Sequence, residues 1–300
     1  VMLVKSGDWV DYGCFAGSAV VLDKALAARK DELWDVKIRG TNRQAGQPEV
    51  AVCDPTREHF IYHSWQMSKF ERQLSDKGLC TYIPSLMHQM DIYYQDYVDV
   101  DVALIAVAPM DEHGFFNFGP QAAHTMAICN KAKKIVLEVN HQMPRCYGRE
   151  EAIHISRVDC VVEADYPLPV VPSVEPNEID RKVAAIIMEY LHDGCCLQLG
   201  IGGMPNAVGE MIANSDLKDL GIHTEMFVDS MVDMVERGMV TCAKKNIDKY
   251  KKQEKNASIL FKNGLVLELS ISFGSLDNQV LRATRLESVL RSRKLNKTAF

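Results

Sequence analysis

The stretch DVDVALIAVAPMD, residues 99–111, decides the fold class. Apart from Asp101 it is continuously apolar from Val100 to Ala108 and rich in Val. A half-exposed strand would instead alternate polar and apolar residues. Continuous apolar runs are typical of strands covered on both faces, as in parallel sheets with helices on each side. The stretch therefore predicts a parallel strand in an α/β domain.

The segments around this run alternate between helical and extended patterns. A helical pattern over 120–134 follows it, and the apolar run IVLEVN (135–140) comes next. Upstream, DWVDYG (8–13) precedes a helical pattern over 18–33, for which Ser18 is the candidate N-cap. Further short apolar or β-branched runs are WDVKIRG (34–40), EVAVCD (49–54) and LCTYIP (79–84). This alternation predicts a mostly parallel sheet with helices on both sides.

The stretch YPLPVVPSVEP, residues 166–176, marks the best domain boundary. Four prolines in eleven residues suit neither a helix nor a central strand. We therefore predict an α/β fold of two tandem open domains, the second one incomplete. Residues 1–165 form the first domain and 177–250 begin the second, and 251–300 form an atypical basic tail.

The segment after the boundary starts a second α/β unit. NEIDRKVAAIIMEYLHDG (177–194) predicts an amphipathic helix that Gly194 terminates. Its apolar residues recur at helical spacing and should form the buried face: Val183, Ile186, Ile187, Tyr190 and Leu191. A strand, a helix and a strand are then predicted over 195–200, 206–220 and 222–228.

Composition and charge exclude several classes of function. The net charge of −6 argues against a nucleic-acid partner. The longest apolar runs are too short to span a bilayer, so no membrane segment is expected. Nine cysteines without a C-x-x-C pair, and no signal peptide at the start, predict reduced, mostly buried thiols in a cytoplasmic protein. No H-E-x-x-H or paired Cys/His spacing predicts a metal site, and no G-x-S-x-G motif supports serine hydrolase chemistry.

A glycine-rich turn in LQLGIGGMPNAVGEMI (197–212) is the first candidate site. Strand, glycine turn and helix together form the geometry of an anion or oxyanion site. Gly200, Gly202 and Gly203 let backbone amides approach a ligand, and Pro205 suits a first helical turn. No Gly-Lys-Ser/Thr follows, so the turn is not a P-loop. A dinucleotide fingerprint would need its third glycine where Pro205 stands. A structural turn without a ligand remains an open alternative.

The carboxylate of Glu225 is the second candidate, within GIHTEMFVDS (221–230). It interrupts a short apolar strand pattern, where burial of a charge is costly unless the charge is paired or used. The residues alone leave three readings open: a solvated strand residue, half of an ion pair, or a reactive group. His223 would share a strand face with Glu225 and either tune the carboxylate or pack in the core.

Two loops in the first domain follow predicted strand ends, where ligands of α/β proteins usually bind. In the loop over 108–120, we interpret Asp111, His113 and Gly114 as shaped by function. The loop over 139–148 follows the next strand in the same way.

Taken together, these motifs resemble the acetyl-CoA hydrolase/transferase family. LQLGIGGMPNAVG followed by GIHTEM, with PMDEHGFFNFG and VNHQMPRC, carries the resemblance. It extends over residues 1 to about 250 and is strongest to butyryl-CoA:acetate and 4-hydroxybutyrate CoA-transferases. The resemblance implies exchange of CoA between short-chain carboxylic acids, with acetate and butyrate as the expected pair.

The resemblance also implies residue roles. Glu225 would be the nucleophile that becomes a glutamyl-CoA thioester. The loop residues Gly200, Ile201, Gly202, Gly203 and Met204 would line the CoA thioester. Acyl-CoA and carboxylate substrates are the implied small-molecule partners, with no metal or redox cofactor, and a homo-oligomer is expected. Acyl-CoA hydrolysis by the same site, or an inactive CoA-binding fragment, is the alternative.

The tail over 251–300 departs from this pattern. It holds ten Lys and Arg against four Asp and Glu, whereas the whole chain is acidic. One interpretation is a basic amphipathic helix that packs on an acidic body. The other is a frameshift near residue 251 that replaced the C-terminal region of a longer protein, and the start at Val1 similarly suggests a trimmed N-terminus.

Overall fold

The computed structural model describes residues 1–120, 122–146, 150–170, 172–224 and 227–245, together with the backbone of 253–254. The chain divides into two compact units. Unit 1 comprises Val1–Arg145 and Glu150–Pro169, and unit 2 comprises Cys146–Arg149 and Val170–Phe300.

Unit 1 is built on a parallel sheet. In chain order, its described strands are β1 (Trp9–Cys14), β2 (Val36–Thr41), β3 (Phe60–Ser64), β4 (Thr81–Tyr82), β5 (Val100–Val107), β6 (Phe115–Asn117), β7 (Ala132–Asn140), β8 (Ala152–His154) and β9 (Cys160–Ala164). Seven of these form one sheet in the order β4-β3-β2-β1-β5-β7-β9, with every pair parallel. The remaining two, β6 and β8, pair antiparallel.

The strand order reverses direction at β1. The chain moves outward from β1 through β2, β3 and β4, then returns to place β5 on the other side of β1. Crevices at such a reversal, outside the carboxyl ends of the strands, are where open α/β sheets bind ligands. The carboxyl ends of β1 and β5 are therefore the part of unit 1 best placed for a site.

Short helices connect the strands of unit 1. They are α1 (Val21–Ala27), α2 (Glu49–Val52), α3 (Lys69–Asp76), α4 (Met90–Ile92) and α5 (Thr125–Lys131). In helix α3, local side-chain contacts determine where the helix begins. Its N-cap Ser68 accepts from the backbone of Glu71 at 3.4 Å, and Glu71 accepts from the backbone of Ser68 at 2.7 Å. This reciprocal capping box satisfies two backbone donors at the start of the helix.

The predicted fold class is confirmed, and β5 shows why. Its residues from Val102 to Val107 are all buried, with 0–1% of each exposed. Neighbouring strands β1 and β7 flank it on both edges. The apolar run therefore marks a central strand that is covered on both faces.

Two local predictions in unit 1 are wrong. Ser18 does not cap α1, because that helix begins at Val21 and the Ser18 hydroxyl donates to the Gly13 carbonyl at 2.7 Å. Instead, both carboxylate oxygens of buried Glu138 accept from the backbone amides at the start of α1. The run EVAVCD is helical over Glu49–Val52, because the Asp23 carboxylate accepts from the Glu49 amide at 2.8 Å and anchors this turn.

Unit 2 contains a smaller parallel sheet. Its described strands are β10 (Cys196–Leu197), β11 (Gly221–Thr224) and β12 (Gln253–Glu254), paired in that order. Its helices are α6 (Glu178–Met188), α7 (Gly203–Ala213) and α8 (Asp229–Glu236). The core of this unit includes buried residues of α7, β11 and α8: Ala207, Ile212, Ile222, Met231 and Met234.

The predicted buried face of α6 is confirmed only in part. Ile187 and Leu191 are partly buried and pack against the core of unit 2, whereas Val183, Ile186 and Tyr190 are exposed. Helix α6 contacts α7, and Ala184 is its one fully buried residue. Ala184, Ile187, Met188 and Leu191 recur at helical spacing and form the strip that packs on the core, which is rotated from the predicted one. The helix also ends at Met188 rather than at Gly194.

All nine cysteines are free thiols. Cys160 on β9 and Cys196 on β10 are exposed, whereas Cys53 and Cys195 are half-buried. The other five, Cys14, Cys80, Cys129, Cys146 and Cys242, are buried. No helix in the described ranges is both long enough and apolar enough to cross a bilayer.

Candidate active site

The glycine turn joins β10 to α7 in unit 2. Gly202 is the N-cap of α7 and has φ 132° and ψ 170°, a region that essentially glycine alone occupies. Pro205 lies in the first turn of α7, where a missing N–H costs no helical hydrogen bond. Ile201 and Met204 are exposed, at 53% and 38%. The turn therefore presents helix N-terminal amides, which have no acceptor within the helix, on an accessible surface.

Neighbouring segments fix this turn at its α7 end. The Asn206 side chain donates to the Val174 carbonyl at 2.8 Å and to the Ser173 hydroxyl at 3.0 Å. A Cβ added to Gly203 would lie 2.5 Å from an Asp180 carboxylate oxygen at the start of α6. Gly203 is thus required by close packing, whereas Gly202 is required by its backbone conformation.

We expect Gly202→Ala to lower the free energy of unfolding of unit 2 by about 1–3 kcal/mol, because alanine is strained at this φ and ψ. Gly200→Ala is the matched control. Gly200 has no positive φ, and a Cβ added there meets no described atom within 4 Å. Urea unfolding followed by circular dichroism measures both variants. Equal losses in the two would contradict the conformational argument.

Strand β11 leads directly to the predicted nucleophile. It pairs with β10 in parallel, with Leu197 beside Ile222. The Thr224 hydroxyl donates to the Leu199 carbonyl at 3.2 Å. The carboxyl end of β11 therefore lies beside Leu199, the residue before the glycine turn. Glu225 itself, like Met226, lies outside the described residues, and its role stays a prediction.

Two further side chains lie on β11 or against it. His223 is half-buried, between the fully buried Ile222 and Thr224 on the opposite face of the strand. Lys245 is 5% exposed, and its ammonium donates to the Ile222 carbonyl at 3.0 Å. Its stem lies over Gly221, where an added Cβ would be 2.9 Å from the Lys245 Cγ. Lys245 thus places a buried amino group against the strand that precedes Glu225.

A cavity of about 250 Å³ in unit 2 adjoins the α7 end of the glycine turn at Asn206. It is lined by residues of α7 and α8 and by the segment Ser173–Pro176. Four carboxylates line it, from Glu175, Glu210, Asp229 and Asp233, together with the guanidinium of Arg237. The Arg237 guanidinium caps the C-terminus of α7, because it donates to the Ala213 carbonyl and the Asn214 side chain. Such a lining disfavours an anionic ligand such as CoA.

The predicted loop of unit 1 over 108–120 is held by its own acidic residue. The Asp111 carboxylate accepts from the amides of Phe115 at 2.8 Å and His113 at 3.0 Å, and it pairs with Arg145 at 2.8 Å. These contacts, led by the Phe115 amide, lower the pKa of Asp111. Gly114 has φ 84° and no room for a Cβ beside the His154 ring. The visible role of Asp111 and Gly114 is to shape this turn.

A buried thiol–imidazole pair lies at the reversal point of the unit 1 sheet. Cys14 ends β1, and its sulfur is 3.3 Å from His124 Nε2. Burial raises the pKa of Cys14 to about 12 and lowers the pKa of His124 to about 4. Near neutral pH the pair is therefore an uncharged thiol beside an uncharged imidazole. A thiolate nucleophile at this position is disfavoured.

The low pKa of His124 predicts that the protein loses stability on mild acidification. The folded state resists protonation down to a pKa of about 4, whereas an unfolded histidine binds a proton near pH 6.5. Stability from this group is thus present at high pH and is lost as pH falls below about 6.5. Between pH 7.5 and pH 5 the loss is about 2 kcal/mol. Urea unfolding at both pH values, with His124→Gln as comparison, measures it; an equal pH dependence in the variant would contradict the assignment.

The family model for the acetyl-CoA hydrolase/transferase N-terminal domain matches residues 1–172. The chain belongs to the acetyl-CoA hydrolase/transferase family. A second model, for the ComK protein, matches residues 242–295, most of which lie outside the described part of the chain.

Several curated relatives of the chain are named as CoA-transferases, and others as acetyl-CoA hydrolases. The chain is 48% identical over 255 residues to butyryl-CoA:acetate CoA-transferase of Anaerostipes caccae, covering 84% of this chain and 57% of the relative. It is 31% identical over 248 residues to 4-hydroxybutyrate coenzyme A transferase of Clostridium kluyveri, covering 82% of this chain and 57% of the relative. The predicted resemblance is confirmed. The chain spans little more than half the length of these relatives.

A solved structure from Yersinia pestis, that of RipA, is similar to the fold. Its TM-score is 0.76 at 30% sequence identity, and the match covers 85% of this chain and 61% of that chain. The described fold of the chain is thus shared with a solved structure over most of the chain's length.

Sequence reasoning located part of this candidate site and missed part. The structure brings the predicted turn residues 200–204 to the carboxyl ends of β10 and β11, beside Thr224. It does not describe Glu225. Thr224, Lys245 and the Cys14–His124 pair were not singled out. No local signal marks Lys245, because its contact joins residues 23 positions apart. No three His, Cys, Asp or Glu side chains among the described residues are grouped so that they could hold a metal ion.

Proposed function

We propose that the protein transfers coenzyme A between short-chain carboxylic acids, with Glu225 as the nucleophile. The observation that supports this most is the meeting of the glycine turn and the end of β11 at one edge of a parallel sheet. Family membership adds that relatives such as the Anaerostipes caccae protein are named as butyryl-CoA:acetate CoA-transferases. Butyryl-CoA and acetate are the proposed substrates.

The first half of the proposed reaction moves CoA onto the enzyme. The ionised carboxylate of Glu225 attacks the thioester carbonyl of the acyl-CoA and expels CoA thiolate, which leaves a mixed anhydride. The thiolate then attacks the glutamyl carbonyl and releases the first carboxylate. The product is a glutamyl-CoA thioester on Glu225. Covalent catalysis of this kind divides one difficult exchange into easier steps.

The second half reverses these steps with a new acid. The acceptor carboxylate attacks the glutamyl-CoA carbonyl and expels CoA thiolate, which gives a second mixed anhydride. The thiolate attacks the acyl carbonyl of that anhydride and frees the Glu225 carboxylate. The new acyl-CoA leaves, and the enzyme is regenerated. Each acid keeps its carbon atoms, and no redox change occurs.

The glycine turn would stabilise the oxyanions of these steps. Each attack converts a carbonyl oxygen into an oxyanion, and amides at a helix N-terminus are suitable donors. One well-placed donor contributes about 3 kcal/mol to such a transition state. Gly203 and Met204 supply amides of the first turn of α7. Water must be excluded, since hydrolysis of an anhydride or thioester would convert transfer into hydrolysis.

Peptide mass spectrometry tests the proposal. The purified chain is incubated with butyryl-CoA, quenched in acid and digested. A mass increase equal to CoA minus water on the peptide that contains Glu225, discharged by acetate with formation of acetyl-CoA, is expected. Release of free CoA and butyrate without acetyl-CoA would instead indicate the hydrolase activity that the family name also covers. If neither an adduct nor free CoA is formed, both activities are refuted for this chain.

A further inference from the structure

We propose that Thr224 is a positioning residue that fixes the glycine turn relative to Glu225. This inference rests on the proposed function and deepens it. Thr224 directly precedes Glu225 in the chain, and Leu199 directly precedes Gly200. The Thr224 hydroxyl donates to the Leu199 carbonyl at 3.2 Å. One side-chain hydrogen bond thus joins the residue before the nucleophile to the residue before the turn.

The strand ladder explains why this bond matters. In the described residues, β10 has two residues, and its pairing with β11 ends at Leu197 and Ile222. Two residues further along each chain are Leu199 and Thr224. There β11 still pairs with β12 on its other edge, but its pairing with β10 has ended, and the side-chain bond of Thr224 continues the connection on the β10 side. The proposed link is therefore placed where the regular backbone pairing stops.

The link is buried, so solvent does not compete with it. Thr224 is 1% exposed and Leu199 is 8% exposed. Inside a protein, a hydrogen bond is stronger electrostatically than in water. Loss of the donor would leave the Leu199 carbonyl without this partner in a dry environment.

The other end of the turn is already fixed. Asn206 holds the start of α7 to Val174, and Gly202 sets the backbone angle at the N-cap. The segment between these anchors and Leu199 consists of Gly200 and Ile201. Gly200 has open space around its Cα, and Ile201 is exposed. Only the Leu199 end is therefore tied to the strand that leads into Glu225 by a described side-chain bond.

Such a link would control the distance between the Glu225 carboxylate and the backbone amides of the glycine turn that stabilise the oxyanion. Attack by Glu225 and stabilisation of the oxyanion by turn amides must occur around the same carbonyl. Displacement of a catalytic group by about 1 Å can lower a rate by about 100-fold. We expect the hydroxyl of Thr224 to act on rate through this geometry and not through contact with the substrate.

The test uses Thr224→Val, which has nearly the same shape but no hydroxyl, and Thr224→Ser, which retains the donor. Thr241→Val is a control in the same unit, since it removes a hydroxyl that bonds to Asp219 at 3.3 Å. Hydrogen–deuterium exchange of peptides over 199–204 and 229–236 is measured for each. We expect Thr224→Val to speed exchange of the turn amides about fivefold, the effect of one lost hydrogen bond, and to leave α8 unchanged.

A single-turnover measurement reads out the role in the reaction. The rate of adduct formation with butyryl-CoA is expected to fall about tenfold in Thr224→Val, within the range that misplacement produces. The butyryl-CoA concentration for half-maximal rate should change much less. Thr224→Ser and Thr241→Val should behave as the parent chain does.

Each outcome separates this inference from the proposed function. Unchanged exchange of the turn in Thr224→Val, or failure of Thr224→Ser to restore it, overturns the positioning role. Faster exchange of the turn amides with an unchanged rate of adduct formation also overturns the positioning role. The hydrogen bond would then hold the turn in place without affecting the reaction. A parent chain that forms no adduct on Glu225 refutes the proposed function, and Thr224 loses its role in the reaction even if exchange responds.

Discussion

Replacement of Glu225 by glutamine is expected to abolish formation of enzyme-bound CoA. Glutamine keeps the size of the side chain but has no carboxylate to attack the thioester. Loss of a covalent nucleophile lowers turnover by about four to six orders of magnitude. The expected result is no mass increase on the peptide that contains residue 225 and no detectable transfer from butyryl-CoA to acetate.

Glu189→Gln is the matched control for this experiment. Glu189 is exposed at the end of α6, and its replacement makes the same chemical change outside the candidate site. It should retain the adduct and the transfer rate of the parent chain. An adduct that survives in Glu225→Gln would place the nucleophile at another residue and end the assignment.

Asp11→Leu is expected to cause the largest loss of stability among the substitutions considered, about 3–5 kcal/mol. Arg39 on β2 donates to both carboxylate oxygens of Asp11 on β1, at distances of 2.6–3.1 Å. The Tyr94 hydroxyl donates to the same carboxylate at 2.6 Å. Both charged side chains are about 1–3% exposed. Burial lowers the pKa of Arg39, but the Asp11 charge outweighs this effect and raises it, so the guanidinium is charged. The substitution would leave this buried charge without its carboxylate.

A double-mutant cycle distinguishes loss of the pair from loss of packing. Removal of both charges, in Asp11→Leu with Arg39→Met, should be much less destabilising than the sum of the single changes, because no uncompensated charge remains. Glu32→Gln, which breaks an exposed pair with Arg29, should cost less than about 1 kcal/mol. Urea unfolding gives all four values. Strict additivity in the cycle would contradict the coupling.

The fold class could be predicted from the sequence because burial on both faces leaves a direct record in composition. The run through β5 is apolar at nearly every position, as burial of both faces requires, and its Val and Ile residues favour a strand. The cap of α1 could not be predicted. Ser18 has the right residue type at the right place, but the carboxylate that caps the helix belongs to Glu138, more than a hundred residues later. Local patterns contain no information about such a partner.

Helix α6 shows a different limit. Of its predicted apolar stripe, Ile187 and Leu191 pack on the core, whereas Ile186 and Tyr190 lie on the surface and the small Ala184 is fully buried. Hydrophobic periodicity predicts that a helix has an apolar and a polar face, but it does not predict which residues contact the neighbouring helix. Ridge-and-groove packing depends on small residues at the crossing point, which a hydrophobicity pattern ranks low.

The candidate site was predictable where backbone conformation restricts residue type. Gly202 and Gly203 are glycines for two physical reasons, a forbidden φ and a close approach, and both leave glycine in the sequence. The contributions of Thr224 and Lys245 were not predictable. Each acts through a hydrogen bond to a backbone carbonyl more than twenty residues away, and threonine and lysine are common residue types.

The distribution of free thiols gives the protein two natural attachment points for spectroscopic probes. Cys160 is exposed in unit 1 and Cys196 is exposed in unit 2, whereas Cys14 and Cys129 are buried with pKa values raised by burial to about 12. A maleimide dye at neutral pH should therefore modify exposed thiols and leave those two unreacted. Each unit thus carries an exposed thiol of its own to which a fluorophore can be attached without engineered cysteines.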